Sequence, residues 1–344
     1  MITTLLVGFG FSARTFHLPF LMHNDAFTVT AVVSSRPNDV KAVLPEAEVF
    51  ETLAQALEAV SPDLSIITTP NHLHFDQARQ CLSAGSHVLA EKPFVLSAAD
   101  AESLVAQATL VNRSVHVYKN RRFDGDFLTV KSLINSQQLG SIRRMESRFD
   151  RFRPVPRNRW RENAGPGAGI FWDLGPHLLD QAVQLFGMPE SVQASIDTLR
   201  DGGQSDDCFD VSLFYPNLHV RVGSSAFQAG ETLRFDIQGD KGSYRKFGLD
   251  PQEQALRDSR DLNDNQWGTT GPNEHGKFYN ETKGETIETC QGDYRQFYQQ
   301  LAESVLSNAK SPCSAESTIP VIRLIELSQE SNAKNKKVFV SKQN

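Results

Sequence analysis

The sequence predicts an α/β chain in two parts. The first is a doubly wound parallel sheet, and the second is an α+β region built on an open, mainly antiparallel sheet. Three observations carry this. Over residues 1–120, short β-branched and nearly continuous apolar runs alternate with helical stretches, the pattern of strands covered on both faces by crossover helices. The glycine-rich turn Gly8-Phe9-Gly10-Phe11-Ser12-Ala13 follows the first run at once. After Asn120 the rhythm changes to successive alternating segments with short turns between them, which suits antiparallel pairing.

The strands of the first part fall at 3–7, 27–33, 64–68, 87–90 and 115–118, and its helices at 16–21, 52–60, 75–84 and 97–111. Pro62-Asp63 and Gly85-Ser86 punctuate two of the helix ends. In the second part 127–139 and 174–186 read as helices, and 142–149, 191–197, 210–215, 219–225 and 233–239 as strands. Residues 250–285 are polar, with Asp-Pro, Asn and Gly clusters, and read as loop. Helical periodicity returns at 294–306 and 319–332, the last being a candidate to pack back on the first part. The expected division is therefore 1–120 for a nucleotide-binding domain and 121–344 for a substrate and assembly domain.

Composition bounds the function. At 344 residues the chain is long for a single core. A net charge of -6 and a pI near 5.9 argue against coating nucleic acid or an anionic membrane. Cys81, Cys208, Cys290 and Cys313 lie far apart and form no CxxC pair. That gives neither a zinc signature nor a disulfide framework, and a reducing cytoplasm is the expected location. The apolar run at the N-terminus ends in glycine after a few residues, too short for a membrane span or signal core.

A GxGxxA turn between a strand and a helix has a physical use. Gly8 allows the tight turn, Gly10 lets the backbone approach a pyrophosphate, and Ala13 lets the helix lie close to the strand. The helix N-terminus then faces the phosphates, so Gly8, Phe9, Gly10, Phe11, Ser12 and Ala13 are candidate cofactor contacts. An NAD site places Asp or Glu at the end of the second strand to accept from the ribose 2′-hydroxyl. Here the strand runs into Ser34-Ser35-Arg36, with no acid until Asp39. Two hydroxyls and a guanidinium suit a 2′-phosphate, so NADP is expected, with NAD the alternative. Thr69-Pro70-Asn71 and His74 follow another strand end, where an open parallel sheet presents its crevice, and join the set as cofactor-edge groups. His72 and His74 have no carboxylate or cysteine support, so no metal site is expected.

The chemistry falls to two further motifs. In Glu91-Lys92-Pro93, Lys92 ends a buried strand on the crevice side and can donate to a substrate oxygen, with Glu91 beside it as partner or cap. In Asp173-Leu174-Gly175-Pro176-His177, Pro176 suits the first helical position. That would set His177 in the first turn, where the helix dipole keeps an imidazole neutral and ready to accept a proton. If the helix already includes Asp173, the i,i+4 spacing sets carboxylate and imidazole side by side. Eight arginines from Arg143 to Arg161 are interleaved with Phe149, Phe152 and Trp160. Basic-aromatic stretches bind single-stranded nucleic acid, but the acidic chain argues against it. Arg151-Phe152-Arg153-Pro154 and Arg159-Trp160-Arg161-Glu162 read instead as a substrate-domain loop.

These motifs resemble the Gfo/Idh/MocA oxidoreductases over nearly the whole chain: the glycine turn, Thr69-Pro70-Asn71, Glu91-Lys92-Pro93, and Asp173 through His177. Val117-Tyr118-Lys119-Asn120-Arg121-Arg122-Phe123-Asp124, residues 151–162 and Gly248-Leu249-Asp250-Pro251-Gln252-Glu253 are similar to the branch holding NADP-type scyllo-inositol dehydrogenases. The resemblance implies an N-terminal Rossmann domain and a C-terminal sheet that mediates homodimers or larger homo-oligomers. It implies a catalytic trio at Lys92, Asp173 and His177, with substrate contacts at Tyr118, Asn120, Arg153 and Trp160. The implied reaction is NADP-dependent oxidation of a cyclic polyol or sugar. That branch often carries His at the position of Lys119 and Trp at that of Phe123. Two rivals share the fold: a reductase of another carbonyl substrate (keto-sugar, diketone, tetrapyrrole), and a non-catalytic NADP-responsive regulator, which needs neither Lys92 nor His177.

Overall fold

The computed structural model describes residues 1–341. Two compact units form. One holds residues 1–120 together with 253–267 and 293–319, and the other holds 121–252, 268–292 and the chain from 320 onward. The chain leaves the first unit at residue 120 but returns to it twice, so one linear boundary does not describe it. The returning helix is Arg295–Ser307. The helix Ile319–Lys334, beyond its first residue, belongs to the second unit, where Ser331 Oγ and Asn332 Oδ1 accept the Ala194 and Ile196 N–H groups at 3.0 and 2.9 Å. No helix among the described residues is long and apolar enough to cross a membrane.

In the first unit β1 (Ile2–Val7), β2 (Phe27–Val33), β3 (Glu48–Phe50), β4 (Leu64–Ile67), β5 (His87–Ala90) and β6 (Val115–Val117) pair in parallel. The order is β3-β2-β1-β4-β5-β6, so the winding reverses between β1 and β4, the switch point at which such sheets open a ligand crevice. Leu5, Leu6, Val7, Ile66, Ile67, Val88 and Leu89 are wholly buried, each stabilising the fold by about 1.5–3 kcal/mol. The strand ends are in register: Val7 pairs with Val33 and Ile67, Ile67 with Ala90, and Ala90 with Val117. The edge strand β6 is shielded by a return segment. Val117 N–H donates to Cys313 O and Ala315 N–H to Val115 O, both at 2.9 Å, which removes an open sheet edge.

Local sequence explains the helices. Thr52 and Gln55 form a reciprocal capping box for Leu53–Ala59, and Ser97 caps Ala98–Leu110. The first helix departs from the expected regular one. A π-helical turn, Ala13–His17, leads into Leu18–His23, and Pro19, without an N–H, sits at its start.

The second unit carries β7 (Ile142–Arg148), β8 (Ser191–Asp197), β9 (Cys208–Tyr215), β10 (Leu218–Ser225), β11 (Leu233–Gly239), β12 (Ser243–Phe247), β13 (Gly276–Tyr279), β14 (Gly284–Ile287) and β15 (Val338–Phe339). Among the described residues these make one sheet, β14-β13-β12-β11-β7-β10-β9-β8-β15. Pairing is antiparallel except between β7 and β10. Residues 250–285 are thus more ordered than their polarity suggests, with the helix Gln252–Arg257 and the β13–β14 hairpin. An Asn280 turn closes that hairpin, its side-chain oxygen accepting from the Thr282 and Lys283 N–H groups. Polar residues suit a strand pair at the rim of a sheet, which is why periodicity does not reveal it.

One buried cation fastens this unit. Arg234 of β11 is fully buried, its guanidinium 4.2 and 4.0 Å from the ring centroids of Phe149 and Phe235. It donates to Asp126 at 3.0 Å, Ser147 at 2.7 Å and Gln181 at 2.6 Å, tying sheet to helices. Burial pulls its pKa below the ordinary arginine value while Asp126 opposes that. Replacing Arg234 by Met should lower the unfolding free energy by about 3–5 kcal/mol in urea titrations, because Asp126 would stay buried without its partner. A change within about 0.5 kcal/mol, as for an ordinary surface substitution, would show that the cation does not fasten the unit.

Candidate active site

The register of the parallel strands decides what meets at the crevice of the first unit. One rung past each strand, Gly8 N–H still donates to Val33 O, Ser34 to Phe50, Thr68 to Val7, Glu91 to Ile67 and Tyr118 to Ala90, all within 3.0 Å. The glycine turn, Ser34 through Arg36, the Thr69-Pro70 turn and Glu91-Lys92 therefore leave the sheet along one edge.

Gly8 has φ +95°, and a Cβ there would lie 2.9 Å from Thr68 Oγ1, so only glycine fits. A Cβ on Gly10 would meet nothing within 4 Å; that backbone faces open space where a phosphate can approach. Ala13 is wholly buried, as close helix packing requires. Phe9 is buried, whereas Phe11 is exposed with the Arg257 guanidinium 4.9 Å from its ring centroid. Ser34 is turned inward, its hydroxyl accepting the Arg36 N–H at 3.1 Å. Ser35 and Arg36 are exposed. Arg36 donates to the Phe9 carbonyl at 2.8 Å and pairs with Asp39 at 3.3 Å.

Glu91 is the hub of this edge. It accepts from Ser12 Oγ, lies 3.1 Å from His17 Nε2, and takes the Lys92 N–H at 2.9 Å. His17 Nδ1 is 2.9 Å from the hydroxyl of Tyr298, which comes from the returning helix and stacks on Phe20. Burial alone would raise the Glu91 carboxyl, but the hydrogen bond and charge of His17, the Lys92 ammonium and Ser12 bring it down to about 2. Neither His17 nor Tyr298 stands out in the sequence, because their partners lie 74 and 281 residues away.

Two of the expected contacts are interior side chains. His74 is fully buried, with Nδ1 2.9 Å from Pro93 O and Nε2 2.8 Å from Thr69 O. It braces two turns against each other. Tyr118 is 2 % exposed, its ring against His17, Phe297 and Tyr298, so this side chain belongs to the core. Asn71 and Asn120 are also buried. Among the described residues no group of His, Cys, Asp and Glu could hold a metal ion.

In the second unit the helix Ile170–Phe186 carries both Asp173 and His177. It starts well before Pro176, which lies inside it, so the expectation of Pro176 at the first position fails. His177 stands two turns in, beyond the reach of the helix dipole. The i,i+4 spacing on one face does hold. What sets the early start is Asp206. Its carboxylate accepts the Phe171 N–H at 2.6 Å, and its carbonyl the Ile170 N–H at 2.9 Å. A Cβ on Gly169, φ +95°, would collide with that carboxylate. Burial raises the Asp206 carboxyl to about 6, against the pull of the Phe171 N–H. No local motif announces a cap from 35 residues away.

Asp173 also accepts from Arg161 at 2.9 Å, and His177 is 5 % exposed. Asp173 lines a cleft whose wall includes Arg151, Arg153, Arg161 and Arg200. Arg153 thus reaches the cleft, while Trp160 stays outside its wall, 41 % exposed under the Arg161 guanidinium. Arg200, missed in the sequence, is held by Asp207 at 3.0 Å and Glu162 at 2.9 Å.

The Glu91 hub has a pH signature. A carboxyl held below its unfolded value contributes stability above that value and loses it as pH falls toward the folded one. For a shift from 4.5 to about 2 the contribution is of order 3 kcal/mol. Urea titrations should show wild-type stability falling between about pH 4.5 and pH 2, and a flatter profile for Glu91→Gln. Parallel profiles would contradict the hub.

Comparison with known proteins agrees with this architecture. Residues 2–119 match the Gfo/Idh/MocA model described as an oxidoreductase-family NAD-binding Rossmann fold, and residues 131–340 match that family's C-terminal alpha/beta domain. The chain is 39% identical over 334 residues to the uncharacterized oxidoreductase YdgJ of Escherichia coli (strain K12), covering 95% of each. It is 35% identical over 339 residues to the scyllo-inositol 2-dehydrogenase (NADP(+)) IolW of Bacillus subtilis (strain 168), covering 97% of this chain and 95% of that one. The solved structure of yvaA from Bacillus subtilis matches with a TM-score of 0.94 at 34% identity, over 99% of this chain and 98% of that one. With a nucleotide-binding Rossmann unit and matches along both parts, this chain is an NAD(P)-binding oxidoreductase and belongs to the Gfo/Idh/MocA family.

Proposed function

We propose that the protein transfers hydride reversibly between NADP and a carbinol carbon of a cyclic polyol or sugar, a scyllo-inositol-like substrate. The observation that carries this reading is the pair Asp173 and His177, one turn apart on a single helix whose start is fixed by Asp206. The full-length likeness to a scyllo-inositol 2-dehydrogenase supports the substrate class. Retention of Lys92 and His177 together favours catalysis over a sensing role.

The first unit fits a dinucleotide: Gly8 closes a turn no other residue could, and Gly10 presents bare backbone to open space. When bound, the nicotinamide accepts the hydride or returns it. In the oxidation direction His177 takes the proton of the substrate hydroxyl, Asp173 orients it, and Lys92 stabilises the charge developing on oxygen. The carbinol carbon loses hydride and its oxygen loses a proton, which leaves a carbonyl. The position of Lys92 after β5, with its N–H held by Glu91, supports this role. Arg153 lines the same cleft as Asp173, which supports its assignment as a substrate contact.

NADP is the proposed dinucleotide because the end of β2 offers Ser35 and Arg36 in place of a ribose-binding carboxylate. Arg36 is already anchored on the glycine turn through the Phe9 carbonyl. Its pairing with Asp39 is exposed on both sides. A surface pair of that kind is worth little, so the guanidinium can turn to a 2′-phosphate.

Two measurements test the reading. His177→Ala should lower kcat with scyllo-inositol by about 100-fold or more while NADPH affinity, from fluorescence titration, stays unchanged; equal losses in both would count against the assigned role. Arg36→Ala should cut kcat/KM for NADP by about tenfold or more, the scale of one charge-assisted hydrogen bond, and leave NAD nearly unaffected. Equal use of both dinucleotides by the wild type would refute the choice of NADP.

A further inference from the structure

The cleft in the second unit is walled by more positive charge than the proposed proton chemistry requires. Arg151, Arg153, Arg159, Arg161 and Arg200 all face it. Arg159 and Arg200 share Glu162 at 2.6 and 2.9 Å, Arg200 also holds Asp207 at 3.0 Å, and Arg161 holds Asp173 at 2.9 Å. Asp206 is turned to the helix N–H groups. Five guanidiniums thus stand against four carboxylates, those of Glu162, Asp173 and Asp206 in the wall and of Asp207 behind it, a formal excess of one positive charge. Arg151 has its N–H on the Ser225 carbonyl at 2.9 Å, and its half-buried side chain makes no hydrogen bond or ion pair among the described residues.

We propose that this wall is an anion subsite, and that the physiological substrate carries a phosphate or carboxylate group received by Arg151 and its neighbours. The inference rests on the hydride-transfer reading, because Asp173 lines the same cleft and shares Arg161 with it. Guanidinium forks match both anions bidentately. The wall also holds its forks in place before any ligand arrives: Glu162 fixes Arg159 and Arg200, and Asp173 fixes Arg161. A neutral polyol offers hydroxyls to these donors but no charge to match the excess. A site built to bond a group discriminates strongly against an analogue that lacks it, so a neutral inositol is expected to be a poor stand-in for the real substrate.

The test uses the full chain with the dinucleotide saturating, so that nucleotide phosphate sites are filled. KM is compared for scyllo-inositol, an inositol monophosphate and a hexuronate. One charged compound should have a KM lower by about tenfold or more, and which one does so distinguishes phosphate from carboxylate. Arg151→Gln should abolish that advantage, raising KM for the charged compound about tenfold more than for scyllo-inositol, and Arg151→Lys should keep most of it; thermal melts check that both variants fold. Equal KM values for neutral and charged compounds, or a loss in Arg151→Gln that is the same for both, would overturn the subsite. Calorimetry with inorganic phosphate on the NADPH complex needs no turnover. Phosphate binding weakened by Arg151→Gln, with no polyol oxidised, would sustain the subsite and refute the dehydrogenase reading. Polyol oxidation without phosphate binding or a charge preference would do the reverse.

Discussion

Parallel pairing in a common register puts Val7, Val33, Ile67, Ala90 and Val117 in one line, so the loops that follow them leave the sheet at one edge. Each residue's backbone groups are committed to neighbours on both sides, and a slip of one position would turn every side chain to the other face of the sheet. The burial of these strands on both faces forbids that slip. The glycine turn, the Arg36 corner and Lys92 owe their proximity to this constraint, and it is a property of the core rather than of the loops.

Two carboxylates outside the proposed proton chemistry hold the machinery. Glu91 collects Ser12, His17 and the Lys92 N–H, so the glycine turn, the first helix and the end of β5 answer to one buried group. Asp206 fixes where the second unit's helix begins, and with it the phase at which Asp173 and His177 share a face. Their environments push them in opposite directions: donors hold Glu91 near 2, while burial lifts Asp206 to about 6. The donors around Glu91 outweigh its burial, whereas at Asp206 the Phe171 and Ile170 N–H groups do not outweigh burial and the neighbouring Asp207.

Arginine serves two purposes in the second unit, separated by partners and burial. Arg234 is sealed between two aromatic rings with all its bonds directed to protein, so it fastens and does nothing else. In the cleft, Arg159, Arg161 and Arg200 are held by the carboxylates of Glu162, Asp173 and Asp207. That difference is invisible in a run of basic residues, where both kinds look alike.

The sequence by itself determined the parallel sheet, the glycine turn, the lack of an acid immediately after β2, and the spacing of Asp173 and His177. All are local: apolar runs make buried strands, Gly8 is required by its own φ, and i,i+4 spacing follows from helical pitch. Only the tertiary structure decided where the second unit's helix starts, that His74 and Tyr118 are interior, that the β13–β14 hairpin is a sheet rim, and that the helix Arg295–Ser307 returns to the first unit. Each depends on a partner far along the chain, such as Asp206 for Phe171 or Tyr298 for His17. Propensity and periodicity report on neighbours in sequence; burial and capping by distant residues exist only once the chain has closed on itself.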